Sequence, residues 1–282
     1  MIKTCILRGQ RMKAAMIGDN CIDEYRMIDG IEVNRRYPTG NVVDTGVNLR
    51  KLGISTSVIS TTGSDENGKW MIESLTKEGL DLTRFKVGNG LTAITHMDMD
   101  GTDRVHGDYE EGVMADIVFD SEDIAFAASH DLVHSALWGM ADGVLKDIRE
   151  ANPDVLISFD YCDRLDDPII ERTLPYVDIG FFSCHDRADD FVKPFMQDKV
   201  DRGMLIAVAT FGEKGSLAWD GREWFECGIV PAAHVVNTVG AGDSYIAGFL
   251  SGILRNKPIG ECMQIGAEVS SQVVQVFEPW VI

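Results

Sequence analysis

Residues 237–252, NTVGAGDSYIAGFLSG, place a single carboxylate, Asp243, between a run of small residues and a long apolar run. The apolar residues cover most of the circumference of the predicted helix, which is typical of a helix buried on all sides. Gly240, Ala241 and Gly242 have little or no side chain, so the backbone there can approach another group closely. The first turn of a helix also carries unpaired N–H groups and the positive end of the helix dipole. The stretch therefore predicts a buried helix whose start can bind an anion.

Two interpretations of Asp243 follow from these residues. Asp243 could simply cap the helix, a contribution of about 1 kcal/mol. A cap alone does not call for small residues on its N-terminal side. In the second interpretation the glycine-rich turn holds a phosphoryl group in transfer, and Asp243 takes the proton from the attacking hydroxyl. General-base assistance of this kind contributes roughly 10²–10⁴-fold to a rate.

Strand-like runs alternate with helical stretches along most of the chain. Several runs are continuously apolar, as strands of a parallel sheet buried on both faces should be. The alternation predicts an α/β fold with a parallel sheet covered by helices. The predicted strands are AAMIG (14–18), STSVIST (55–61), DLVHSAL (131–137), DVLISFD (154–160), VDIGFF (177–182) and MLIAVAT (204–210), with helices near 41–52, 65–78, 141–151, 186–202, 241–254 and 259–276.

Two segments interrupt this alternation. Residues 22–39 are polar and irregular, and residues 91–106 are typical of a hairpin with a tight Asp-Gly turn at 100–101. We interpret the two segments together as a small β lid. No linker divides the chain, so a single domain over residues 13–282 is expected, preceded by an N-terminal extension of residues 1–12. A further hairpin is predicted at SLAWDGREWF (216–225).

The composition narrows the classes of partner. The 282 residues include 26 basic and 45 acidic side chains, a net charge of −19, and the pI is near 4.6. Nucleic acids and anionic membranes need a basic face and are therefore not expected as partners. No apolar run reaches the roughly 18 residues of a membrane span. The six cysteines are scattered without C-x-x-C spacing, which fits reduced thiols in a cytoplasmic protein.

Three motif matches do not lead to a function. GSDENGK (63–69) follows most of the P-loop pattern, but Trp70 replaces the Ser or Thr that would meet Mg²⁺, so a turn capping the next helix is expected. His130 and His134 have metal-ligand spacing only on a helix, and His134 lies in an apolar strand run, which favours a structural role. GAGDSY lacks the last glycine of a dinucleotide fingerprint and lies far from the first strand.

Residues 237–243, NTVGAGD, resemble the C-terminal signature D-T-x-G-A-G-D of the ribokinase (PfkB) family of sugar kinases. Upstream, Gly40, Gly46, Gly53 and Gly63 keep the spacing of the family's N-terminal signature. The resemblance implies a three-layer α/β/α ribokinase-like domain with a central, mainly parallel sheet and a β lid. It also implies that Asp243 is the catalytic base and that the amides of residues 240–242 form the anion hole.

Other positions match the family's binding segments. IGDNCID (17–23) resembles the first strand and turn, whose acids bind sugar hydroxyls. TFGEKGS (210–216) resembles the nucleotide loop, and DYCDR (160–164) resembles D-x-N-x-R, whose arginine reaches phosphate. The resemblance therefore implies ATP with Mg²⁺ as cosubstrate. The implied sugar-binding residues are Asp19, Asp23, Gly40, Asn41 and Arg104, and the implied nucleotide-binding residues are Thr210, Gly212, Gly215 and Arg164.

The sequence departs from the family pattern at several positions. Asn237 stands where the family usually has an Asp linked to a monovalent-cation site, so such a site is not carried over. Thr39 replaces the first glycine of the Gly-Gly pair, and Asp44 replaces the signature Asn. The family's N-x-x-E, which helps to organise Mg²⁺, corresponds to Ser183 and Asp186, and no metal ligand is assigned.

DRVHGDYEEGVMAD (103–116) is similar to the corresponding segment of the bacterial fructoselysine 6-kinases within this family. The implied reaction is ATP-dependent phosphorylation of the 6-hydroxyl of a fructosamine such as fructoselysine. Acids in or beside the lid could meet an ammonium group, and Arg104 a carboxylate. A kinase for another sugar, a sugar acid or a nucleoside, a non-catalytic sugar sensor and a nicotinamide-dependent dehydrogenase are the alternatives. The strand edges of the lid also make a homodimer through the lid an expectation.

Overall fold

The computed structural model describes residues 12–28, 30–185 and 189–280, leaving the side chains of residues 100, 103, 104 and 189 undescribed. Residues 1–11 of the predicted N-terminal extension lie outside the described residues, as does Asp186. The strands in the described ranges are β1 (Lys13–Ile17), β2 (Cys21–Ile28), β3 (Ile31–Thr39), β4 (Ser55–Thr62), β5 (Phe85–Val87), β6 (Ile94–Asp100), β7 (Asp103–Glu110), β8 (Leu132–Ala136), β9 (Leu156–Asp160), β10 (Ile179–Ser183), β11 (Ile206–Thr210), β12 (Ser216–Trp219) and β13 (Trp224–Cys227). The α-helices are α1 (Asn41–Lys51), α2 (Glu66–Lys77), α3 (Ser121–Ala128), α4 (Leu145–Ala151), α5 (Ile169–Thr173), α6 (Asp189–Asp201), α7 (Ala241–Leu254) and α8 (Ile259–Val273).

Nine of these strands form one large sheet, in the order β13-β12-β11-β10-β9-β8-β1-β4-β5. All neighbouring pairs from β11 to β5 are parallel, and β12 and β13 add antiparallel strands at one edge. Strand β1 lies centrally, where Ala15 is in register with Ser57 of β4 and Val133 of β8. The predicted hairpin at 216–225 corresponds to β12 and β13.

Both faces of the large sheet are covered by helices. Ala14 and Met16 of β1 join an apolar cluster with α1, α2, α7 and α8, whereas Ala15 and Ile17 join a second cluster with α3 to α6. Successive side chains of a strand point to opposite faces, so a strand that is apolar at every position can bury both. The predicted three-layer α/β/α fold with a mainly parallel sheet is therefore confirmed.

A second, small sheet contains the two segments that were predicted as a lid. Its order is β3-β2-β6-β7, with β2 and β6 parallel and the outer pairs antiparallel. Tyr25 and Tyr37 form a buried cluster with Phe277, and Val239 joins the same cluster. Because Val239 lies just before α7, the small sheet packs beside the start of that helix.

The P-loop-like segment and both histidines form contacts within the fold, and Nδ1 of His130 lies 2.8 Å from the carbonyl oxygen of Phe126. Asp65 caps α2 through Oδ1, which accepts the N–H of Gly68 at 3.0 Å. His134 is fully buried in β8, and its Nδ1 lies 2.9 Å from the hydroxyl of Ser158. Burial lowers the pKa of His134 to about 3, so the ring is neutral at physiological pH.

None of the helices in the described ranges combines the length and apolar character that a membrane crossing requires.

Candidate active site

The predicted site residues lie at one edge of the large sheet. Because β1, β8, β9, β10 and β11 are parallel, their carboxyl ends meet at the same edge, which is where open α/β sheets bind ligands. Asp19 follows β1, Arg164 follows β9, and Thr210 ends β11. The starts of α1 and α7 approach this edge and bring Gly40, Asn41 and residues 240–243.

The turn into α1 is built against Asp19. The backbone N–H of Asn41 donates to Asp19 Oδ2 at 2.8 Å. Gly40 has a φ of 141°, and a Cβ there would lie 2.8 Å from the carbonyl oxygen of Asp19. Glycine is required at position 40 because of this close approach as well as the backbone conformation. Burial raises the pKa of Asp19, and the N–H groups of Asn41 and Val42 oppose that rise.

The turn into α7 has two glycines with different surroundings. Gly240 precedes the helix with a φ of 73°, and a Cβ there would lie 2.7 Å from Cβ of Pro279. Gly242 lies in the first turn, is exposed, and a Cβ there would meet nothing within 4 Å. Gly240 thus sets the path of the backbone, whereas Gly242 leaves open space beside the first N–H groups of α7.

Asp243 lies directly behind this open space. Its side chain is buried, with 8% of the residue exposed, and its Oδ1 accepts a hydrogen bond from Nδ2 of Asn41 at 3.2 Å. The charge of Asp243 contributes, after burial and Asp160, to raising the pKa of Cys162 at the end of β9. Asp243 therefore lies between α1 and the carboxyl edge of the sheet. Asn41 bonds both Asp19 and Asp243, so the structure brings these three predicted residues together.

Two further acids lie beside this group. Asp23 of β2 is buried, and Asp44 in the first turn of α1 is only 3% exposed. The hydroxyl of Thr39 donates to Asp44 Oδ2 at 2.7 Å. Burial, followed by the charge of Asp243, raises the pKa of Asp44 well above its usual range. Thr39 and Asp44, which depart from the family pattern in sequence, are thus hydrogen-bonded partners.

The predicted nucleotide residues lie further along the same edge. Gly212 has a φ of 57°, and a Cβ there would meet nothing within 4 Å. Gly215 has a φ of 89°, and a Cβ there would lie 2.3 Å from the carbonyl oxygen of Cys227, so this glycine permits the β12–β13 hairpin. Arg164 is exposed, and its guanidinium carbon lies 5.9 Å from the ring centroid of Trp138.

The remaining predictions concern Arg104, Asn237 and a possible metal site. Arg104 lies in β7, but its side chain is outside the described part of the structure. Asn237 is fully buried, donating to the carbonyl of Phe277 at 3.0 Å and accepting the N–H of Val239 at 3.0 Å. No group of three or more His, Cys, Asp or Glu side chains in the described residues is placed to hold a metal ion.

Sequence reasoning identified Asp44 only as a departure from a pattern and assigned it no function. Its burial beside Asp243 depends on how β1, β2, α1 and α7 come together, which the residue order does not reveal. The one available signal was the Asp in place of the signature Asn.

Comparisons with known proteins agree with this architecture. Residues 34–279 match the family described as pfkB family carbohydrate kinase. The chain is 35% identical over 266 residues to a fructoselysine 6-kinase of Shigella flexneri, covering 94% of this chain and 98% of that protein. It is 34% identical, with the same coverage, to the fructoselysine 6-kinase of Escherichia coli strain K12.

Among solved structures, the ribokinase of Arabidopsis thaliana complexed with ribose and ATP superposes with a TM-score of 0.84. The sequence identity is 21%, and the match covers 95% of this chain and 94% of that one. This similarity shows a shared fold, with a mainly parallel sheet between helical layers. The family match over residues 34–279 and the 35% identity to the Shigella flexneri protein establish that the chain belongs to the pfkB family of carbohydrate kinases and is a phosphotransferase with an alcohol acceptor.

Proposed function

We propose that the chain transfers the γ-phosphate of ATP to the 6-hydroxyl of a fructosamine such as fructoselysine, with Asp243 as the general base. The observation that carries this proposal is the position of Asp243. It lies in the first turn of α7, bonded to Asn41 and behind the open space at Gly242. A carboxylate in this position can accept a proton from a hydroxyl while the neighbouring N–H groups face a phosphoryl group.

The proposed reaction is an in-line displacement. The oxygen of the 6-hydroxyl forms a bond to the γ-phosphorus, and the bond from that phosphorus to the bridging oxygen of ADP breaks. The hydroxyl proton passes to the carboxylate of Asp243, and the electron pair of the broken bond leaves with ADP. The backbone N–H groups of Gly240 and Gly242 would stabilise the negative charge on the transferred group, joined by that of Ala241 once it leaves the carbonyl of Thr238, to which it donates at 3.3 Å.

The sugar is proposed to lie against Asp19, Asp23, Gly40 and Asn41. Asn41 holds Asp243 through its side chain and Asp19 through its backbone, so it can fix the base relative to the acceptor. Such positioning converts binding energy into rate, because the reacting oxygen is held near its target. Arg104 is proposed to contact the distal part of the substrate from β7.

The nucleotide is proposed to bind across the ends of β9 and β11, with Thr210, Gly212, Gly215 and Arg164 as contacts. Kinases of this family generally use ATP with Mg²⁺. Mg²⁺ usually keeps several waters and binds through one or two carboxylates and the phosphates of the nucleotide. Mg²⁺ would neutralise part of the negative charge on the phosphates of ATP.

A substrate panel tests the proposal. Purified protein is incubated with ATP, Mg²⁺ and fructoselysine, fructose, ribose, a sugar acid or adenosine, and kcat/KM is measured for each. The expected result is the highest kcat/KM with fructoselysine and a product phosphorylated at the 6-oxygen, identified by ³¹P NMR. Faster turnover of ribose or adenosine would assign another substrate within the family. Binding of sugar without any phosphate transfer would instead indicate a sensor.

We also propose that two copies associate through the small sheet. Its outer strands β3 and β7 have free edges in the described part of the monomer, and Ile31, Val105 and Tyr109 expose apolar surface on this sheet. Pairing of such edges is a common route to association. Light scattering after size-exclusion chromatography should give twice the 31.1 kDa chain mass. A monomer at micromolar concentration would contradict the dimer without affecting the proposed chemistry.

A further inference from the structure

Two carboxylate oxygens in the site have no hydrogen-bond partner among the described residues. They are Oδ1 of Asp19 and Oδ1 of Asp44. The two side chains belong to residues that are 7% and 3% exposed, and the second oxygen of each is already bonded, to the Asn41 N–H and to the Thr39 hydroxyl. A buried acceptor without a partner is costly, so a bound ligand is expected to supply the missing donors.

The two unpaired oxygens belong to one wall of the site. Asn41 and Asp44 are three residues apart on α1 and therefore share a helix face. Asn41 bonds both Asp19 and Asp243, and both of these acids lie close enough to Asp44 to raise its pKa. The charges that act most strongly on Asp44 belong to Asp243 of α7, Asp23 of β2 and Asp19 after β1. All three are carboxyl groups, so a positively charged ligand at this wall would be favoured and would help to keep the acids ionised.

The chemistry of the wall favours an organic cation over other ligands. A sugar hydroxyl could donate to one oxygen, but it would leave the charge of the neighbouring carboxylates uncompensated. A metal ion held by the protein alone would need several ligands that converge on one point, and no three His, Cys, Asp or Glu side chains in the described residues do so. A protonated amine offers several N–H donors together with a positive charge, and charge-assisted hydrogen bonds are about twice as strong as neutral ones.

On the basis of the proposed function, we propose that Asp44, with Asp19 beside it, binds the protonated amine on C1 of a 1-amino-1-deoxyketose. Asp44 thereby selects amino ketoses over neutral ketoses. The family signature has Asn at this position, a neutral side chain that provides no charge for an amine. In the free protein Thr39 holds one oxygen of Asp44 in place, and the other oxygen faces the amine when substrate binds.

A matched pair of substrates isolates the effect of the positive charge at C1 on kcat/KM. 1-Amino-1-deoxyfructose and fructose differ only in an ammonium or a hydroxyl group on C1. The wild-type protein is expected to have the higher kcat/KM for the amino ketose. In Asp44→Asn the ratio of the two kcat/KM values is expected to fall at least about 10-fold, mainly through KM, because a charge-assisted bond is lost. The control Glu73→Gln removes an exposed carboxylate from α2 and should keep the wild-type ratio.

The outcomes separate this inference from the proposed function. If the wild-type protein phosphorylates fructoselysine but the ratio is the same in Asp44→Asn, Asp44 is a structural residue and only the inference is overturned. A wild-type preference for fructose over the amino ketose overturns it as well. If neither ketose nor fructoselysine is phosphorylated, the proposed function fails too. Should Asp44→Asn not fold, Asp44→Ser also removes the charge and provides the same comparison.

Discussion

Replacing Gly240 by alanine should destabilise the protein, whereas the same replacement at Gly242 should not. The two glycines are two residues apart in the turn that begins α7, and they differ in conformation and surroundings. Gly240 has a φ of 73°, and its Cβ would lie 2.7 Å from Cβ and 2.8 Å from both Cα and the carbonyl oxygen of Pro279. Gly242 is helical, and its Cβ would meet nothing within 4 Å.

The expected magnitudes follow from these contacts. A left-handed conformation costs a non-glycine residue roughly 1–2 kcal/mol. Because the clashing atoms at Pro279 include backbone, the contact must be relieved by moving either that segment or the start of α7. Gly240→Ala should therefore lose at least about 2 kcal/mol, a fall in Tm of at least about 3 °C for a chain of this length. Gly242→Ala should gain about 0.5–1 kcal/mol, because alanine is the better helix former.

Thermal unfolding followed by circular dichroism measures the stability, and a coupled ADP assay measures the activity. Gly242→Ala should keep or raise Tm, yet kcat/KM for ATP should fall at least about 10-fold, because its methyl group would lie beside the proposed anion hole. An unchanged Tm for Gly240→Ala would refute the packing argument. Normal activity of Gly242→Ala would refute the placement of the transferred phosphate at this turn.

Three other replacements have distinct signatures. Asp44→Asn should raise Tm at pH 7.5, and the gain should shrink as the pH falls towards about 4 in a pH series of melting curves. Because the pKa of Asp44 is raised on folding, the wild-type protein loses stability as the pH rises from the unfolded-state pKa of this group through its folded-state pKa. The asparagine variant does not titrate at this position and avoids that loss. Gly40→Ala should raise KM for the sugar more than KM for ATP in steady-state kinetics, because its methyl would displace the backbone of Asp19. Asp65→Ala should lose about 1–2 kcal/mol in urea unfolding, with kcat unchanged, because α2 loses its cap on the Gly68 N–H.

The large sheet could be predicted from sequence because its strands are apolar at nearly every position. Each of the six predicted strands overlaps an observed one, from β1 to β11. Helices α3 and α5 were not predicted, since segments of eight and five residues are too short for a clear helical period. Residues 22–39, irregular in their sequence pattern but interpreted as part of a β lid, form β2 and β3. Their inward residues, such as Tyr25 and Tyr37, alternate with exposed charges because only one face of this sheet is covered.

The candidate active site could likewise be predicted only in part from the sequence. Asp243 could be proposed from its place after a run of small residues, and Asp19 and Asn41 from the resemblance of their segments to the family. Their mutual hydrogen bonds could not be predicted, since Asn41 and Asp243 are 202 residues apart. The acid wall at Asp44 is also a product of tertiary structure. The roles of Thr210, Gly212, Gly215, Arg164 and Arg104 remain predictions.

The most direct test of the central claim is the turnover of Asp243→Asn, measured beside its binding of ATP and sugar by calorimetry. Asparagine keeps an acceptor for the Asn41 amide but cannot take the hydroxyl proton, so kcat should fall at least about 10²-fold while both dissociation constants stay close to wild type and Tm does not fall. Glu268→Gln, an exposed change on α8, should behave as wild type. A variant with asparagine at position 243 that turns over as fast as the parent protein would contradict the account.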